Sequence, residues 1–226
     1  MKYIYHHLGL GDHIICNGII RHFVQLYNEV FVFCKPHYEK NVRYMFKDDE
    51  RIKILSIGED SDVNDYISSK NIINDVIFVG FGGLYGQGAK TFDESFYKMV
   101  NLPFEERFEK FKFIRNLEKE KEILSILNPS GEPYIYVHDD KERGFEIDRN
   151  KIKSNLKIIE NDKRFLMFDM LGVIENSEEV HMMQTGMKDL INSFIFNKPK
   201  FYLHWYVRNY DDFLDSVGLN SFIKIF

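Results

Sequence analysis

HHLGLGDHIICNGIIRHF, residues His6 to Phe23, follows a short apolar run, KYIY, and passes from glycine and aspartate into apolar residues at helical spacing. A buried strand, a tight glycine turn and an amphipathic helix, in that order, open a βαβ unit. The turn after such a strand lies at the carboxyl edge of a parallel sheet, where ligands of α/β domains sit. Gly9 and Gly11 let the backbone turn tightly and approach a ligand closely, and Asp12 falls at or next to the helix N-cap, where a carboxylate accepts backbone N–H groups. Turn-making and capping would by themselves account for these residues. The stretch is no dinucleotide fingerprint, because after Gly9 and Gly11 the next glycine is Gly18, too late for G-x-G-x-x-G.

Outward from this turn the alternation continues. Strands are expected at Lys2 to His6, Val30 to Cys34, Ile52 to Leu55 and Val76 to Val79, with helices over Ile14 to Leu26, His37 to Phe46 and Val63 to Ser69. This rhythm implies a parallel sheet covered on both faces. An aromatic and charged region follows, read as helices broken at Pro103. The cluster NPSGEP, Asn128 to Pro133, marks a domain boundary, so that residues 1–128 form one domain with a helical connector and 129–226 a second. After it YIYV and LKII read as strands, MFDMLGVIEN as a helix, EEVHMM as a strand, GMKDLINSF as a helix and KFYLHWY as a strand. The fold class is α/β, as two small Rossmann-like domains facing each other across a cleft.

At 226 residues, 44% hydrophobic, the chain is long enough to bury a real core in each half. A net charge of -5 gives no global field for nucleic acid or an acidic membrane, so an anionic ligand requires a local site. No stretch approaches the roughly 18 apolar residues of a membrane span, and the start of the chain is not that of a signal peptide, so a soluble, cytoplasmic protein is expected. Cys16 and Cys34 have no second pair with which to build a zinc site and read as buried thiols.

Three further motifs carry chemistry. GFGGLYGQGAKT, Gly80 to Thr91, is not a P-loop, since that pattern needs glycine where Leu84 and Ala89 stand; it reads as a loop that either orders over an acceptor or merely connects. In VHDDKERGFEI a buried strand delivers His138, Asp139 and Asp140 to its carboxyl edge, followed by Lys141 and Arg143. Neighbours on an extended chain point to opposite sides, which opposes a shared metal, whereas a guanidinium at Arg143 can grip a phosphate or form a surface salt bridge. In EEVHMMQTGMKDL, residues Gln184, Thr185 and Gly186 form a strand-to-helix turn of the kind whose backbone amides bind anions.

Taken together, LGLGDHIICNGIIR, FDESFYKMVNLPFEERFEKF and FDMLGVIENSEEVHMMQTGMKDLI resemble, in order along most of the chain, the heptosyltransferase-like proteins of glycosyltransferase family 9. The resemblance implies a GT-B fold with the acceptor bound mainly by the N-terminal domain and a nucleotide-sugar donor mainly by the C-terminal one. It implies Asp12 as general base and Thr185 and Gly186 as the donor-phosphate turn; Gln184 stands where that family usually has aspartate. The expected activity is a metal-independent, inverting glycosyl transfer without a cofactor, between a nucleotide-sugar and a carbohydrate or glycoconjugate. His13 would orient the acceptor beside Asp12, with Gly9, Gly11 and Asp93 on the acceptor-side loop. Lys141, Arg143, Gln184, Thr185 and Gly186 would hold the donor. The alternatives are a metal-dependent hydrolase or phosphatase built on His138, Asp139 and Asp140, and a non-catalytic nucleotide-sugar-binding module.

Overall fold

The computed structural model describes residues 1–81, 88–208 and 215–226, with Glu142 described by its backbone alone. The chain divides into two compact units, Met1–Ile114 with Asp212–Val217, and Arg115–Asp211 with Gly218–Phe226.

The first unit is built on a four-stranded parallel sheet of β1 (Lys2–Tyr5), β2 (Val30–Cys34), β3 (Ile52–Ser56) and β4 (Val76–Phe78), in the order β3-β2-β1-β4. Ile4, Val32 and Val30 are wholly buried, as central strands of a two-faced sheet require. The helices are α1 (Leu10–Ile15), α2 (Asn17–Leu26), α3 (Glu39–Met45), α4 (Asp60–Lys70), α5 (Phe92–Met99) and α6 (Glu106–Glu109). Helix α4 starts on a reciprocal capping box between Glu59 and Asp62 and stops at Asn71, which takes a left-handed φ of 53°.

The single helix expected from Ile14 to Leu26 is two, α1 and α2, joined at Cys16. A buried side chain causes the break. The Tyr97 hydroxyl donates to the Ile15 carbonyl at 2.8 Å and accepts from the backbone N–H groups of Gly18 and Ile19, so it stands inside the helical ladder. Asn17 secures the start of α2 by exchanging two hydrogen bonds with the backbone of Lys112. Gly18 admits the close approach of α6, since a Cβ there would meet the Glu106 carbonyl oxygen at 2.3 Å.

The second unit carries a five-stranded parallel sheet of β5 (Tyr134–Val137), β6 (Lys157–Glu160), β7 (Glu179–Met182), β8 (Lys200–His204) and β9 (Phe222–Ile225), in the order β6-β5-β7-β8-β9. Helix α7 (Leu117–Leu127) belongs to this unit and is tied to α8 (Leu171–Asn176) by Arg115, which bridges Glu120 and Glu175. Helix α9 (Gly186–Asn192) follows β7. Ile135, Val137, Ile147, Ile152 and Met183 form one apolar cluster under the sheet. Among the described residues no helix is long and apolar enough to cross a membrane.

Candidate functional site

Each sheet has a point at which its strand order reverses, and in open α/β sheets ligands bind there, outside the carboxyl ends of the strands. In the first unit this point lies between β1 and β4, and the turn His6 to Gly9 leaves β1 at that edge. His7 Nε2 bonds the carbonyl of Gly80, just past β4, at 2.9 Å. Gly80 has φ +86°, and a Cβ there would meet both His7 and Phe96 within 3 Å, so the two strand ends close on each other only through glycine. Gly9 is the N-cap of α1, Gly11 lies in its first turn, and Asp12 is its third residue. The half-buried Asp12 carboxylate folds back over the cap: a Cβ on Gly9 would lie 2.5 Å from its Oδ2.

His13 turns the other way. It is wholly buried, its ring edge-on to that of His6 at 4.3 Å, and neither of its nitrogens has a hydrogen-bond partner among the described residues. Burial pushes the pKa of His13 well down and that of His6 to about 4, so both rings are neutral. Asp93 is also wholly buried, in the first turn of α5. It pairs with the buried Arg107, accepts from the Thr91 hydroxyl at 2.6 Å and from the Val217 N–H at 3.1 Å, and Arg107 in turn donates to the Val217 carbonyl. Of the glycine-rich run, residues 82–87, Leu84 among them, lie outside the described residues.

In the second unit the reversal lies between β5 and β7. His138, Asp139 and Asp140 leave β5, and Gln184, Thr185 and Gly186 leave β7, so these two motifs end side by side. Thr185 is the N-cap of α9 in an extended conformation, and Gly186 is its first helical residue. Gln184 is 5% exposed, and neither its Oε1 nor its Nε2 has a partner among the described residues. The same is true of Thr185 Oγ1 and His138 Nδ1.

The charged residues of the HDDKER stretch part company. Burial alone would raise the Asp139 carboxyl, but hydrogen bonds from Arg149 and from the Ile147 N–H outweigh it and hold the group below the usual carboxylate range. Lys141 is drawn to the β6 side, 2.7 Å from Glu160, which Arg149 also contacts. Arg143 instead pairs with Asp140. A cation that no motif marked stands near these strand ends: Arg208, beyond β8, donates from Nη1 to the carbonyl of Gln184 at 2.7 Å and lies over the Phe145 ring at 5.1 Å. Its pKa is lowered by burial and then by the nearby Arg143 charge, with Asp140 opposing. Burial likewise takes His138 to about 4, against the opposing charges of Asp140 and Asp139 and with smaller contributions from Lys163 and Arg143. Among the described residues no three His, Cys, Asp or Glu side chains are placed to hold a metal ion.

No protein-family model matches the chain, and no curated protein matches it. Among solved structures it is similar to a glycosyl transferase family 9 protein from Veillonella parvula DSM 2008, with a TM-score of 0.61 over 99% of this chain and 85% of that one, at 8% sequence identity. The likeness is one of fold, in a chain whose two parallel sheets fit a GT-B-like architecture.

Proposed function

We propose that this chain is a glycosyltransferase that moves a sugar from a nucleoside-diphosphate donor to an acceptor hydroxyl, with inversion and without a metal cofactor. The observation that carries the reading is the β5/β7 reversal point. There a strand-to-helix turn with unpartnered polar groups meets cationic side chains, in a fold similar to that of a family 9 enzyme. In the reaction the acceptor oxygen forms a bond to the anomeric carbon as the bond from that carbon to the diphosphate breaks. The leaving diphosphate keeps the electron pair, and Asp12 takes the hydroxyl proton, a role worth about 10² to 10⁴ in rate. Arg143 and the backbone amides at Thr185 and Gly186 meet the charge that develops on the leaving group; Lys141 has its nearest partner in Glu160 and contributes at longer range. His13, expected from sequence to orient the acceptor, is wholly buried with a lowered pKa and takes no part in the reaction.

A thermal-shift panel of UDP, GDP, ADP, CMP and dTDP, and of the sugars they carry, tests the reading. One base should raise the melting temperature, because a ligand that binds only the folded state stabilises it by about 2.7 kcal/mol at a hundred times its dissociation constant. No shift with any nucleotide would remove the donor site.

A further inference from the structure

We infer that Arg208 is the second arm of an anion receptor at the carboxyl ends of β5, β7 and β8, in which it and Arg143 grip a diphosphate that also carries a hydroxyl or amino group. The inference rests on the donor reading above and adds to it a residue and a ligand chemistry.

Arg143 pairs with Asp140, and the half-buried Arg208 lies over Phe145, the residue whose backbone pairs with that of Asp140. Holding the half-buried Arg208 near a second positive charge, that of the exposed Arg143, costs free energy that folding does not return, and such an arrangement is a mark of a binding site. The position of Arg208 is fixed: one nitrogen is anchored on the Gln184 carbonyl, and its face is stacked on Phe145, itself held by paired backbone hydrogen bonds with Asp140. The anchor ties the cation to the residue that precedes the Thr185 turn.

The polar groups without partners lie at the same strand ends. Gln184 Nε2 and Oε1, Thr185 Oγ1 and His138 Nδ1 are buried atoms without a hydrogen-bond partner among the described residues, and leaving such groups unsatisfied costs stability. Guanidiniums donate only, so a ligand that they grip offers acceptor oxygens, as the paired oxygens of a diphosphate do. Gln184 Oε1 accepts only. It calls for a donor on the same ligand, which inorganic phosphate at neutral pH supplies poorly and a ribose or sugar hydroxyl supplies well.

The test is calorimetric titration of the full chain with inorganic pyrophosphate, with UDP, GDP and ADP, and with the matching nucleosides. Arg208→Gln keeps a donor for the Gln184 carbonyl and removes the charge, and Arg208→Lys keeps the charge without the paired geometry. For Arg208→Gln we expect an unchanged melting temperature, tenfold or greater weakening of pyrophosphate and of the tightest diphosphate, and no change for its nucleoside; Arg208→Lys should recover part of the loss. Should Arg208→Gln fail to fold, a drop of threefold or more for Arg208→Lys supports the receptor and a smaller one overturns it. Diphosphate binding that is equal in wild type and the folded variants overturns the inference and leaves the donor reading standing. Arg208-dependent binding of pyrophosphate with no nucleoside diphosphate binding tighter keeps the two-arginine grip and overturns both the call for a ligand hydroxyl and the donor reading. No binding of any probe to the wild-type chain overturns both.

Discussion

Asp93 and Asp12 look alike in sequence, each an acid beside a glycine-containing turn, and the structure gives them different work. Asp93 has no exposed surface and is enclosed by Arg107, Thr91 and the N–H of Val217, a partner 124 residues away. No local pattern announces a partner at that distance, so the sequence places this acid on the acceptor-side loop, whereas in the structure it is buried against Arg107. Asp93→Ala would take the carboxylate from the buried Arg107 charge, a loss of about 3–5 kcal/mol. Urea unfolding measures it, and a change below about 1 kcal/mol would contradict the structural role. Arg208 was hidden for the same reason. In HWYVRN it is one cation after a strand, and its importance comes from the β7 carbonyl and the β5 arginine that the fold brings to it.

At the scale of elements, what could be read from sequence depended on burial. Val30–Cys34 was legible to the residue because its apolar run is buried, while β9 was missed: FIKI is half exposed, joins the sheet at its edge, and pairs in register with β8 through Phe222 and Phe201. The break between α1 and α2 was invisible because its cause, Tyr97, comes from another helix. Histidines recur on these elements in neutral, buried form. On β7 and β8 a hydrogen-bonded row runs from Glu179 through His181 and His204 to Tyr206. The row fixes its own protons: His181 Nε2–H donates to the Glu179 carboxylate, His204 Nε2–H to His181 Nδ1, and the Tyr206 hydroxyl, which accepts from the Asp148 N–H, donates to His204 Nδ1. Burial takes His6, His138 and His204 from 6.5 to about 4. Between those values the unfolded chain binds more protons than the folded one, so stability is fully present above pH 6.5 and is lost as pH falls towards 4. For the fully buried His6 the loss is about 2 kcal/mol by pH 5. The urea midpoint should therefore be lower at pH 5 than at pH 7.5; an equal or higher midpoint would contradict neutral buried histidines.

For the whole molecule, the alternation of strand and helix made the α/β class and its parallel sheets readable, and the glycine turns fell at the two reversal points because such turns leave strands at the carboxyl edge. A likeness of fold at 8% identity, with no sequence match to a curated protein, is what a backbone set by burial pattern allows when the side chains differ. The proposed chemistry joins the two candidate turns in one reaction, with Asp12 as the base and the β5/β7 edge as the donor site. The most direct measurement is nucleoside-diphosphate release from UDP-, GDP-, ADP- and dTDP-linked sugars, with simple sugars as acceptors, by the wild-type chain and Asp12→Asn side by side. Asparagine keeps the shape of the side chain folded over Gly9 and is a far poorer base. We expect release from one donor, reduced by about 10² or more in Asp12→Asn at unchanged donor affinity and melting temperature. Release at the same rate from both proteins, or from neither with any donor, would contradict it.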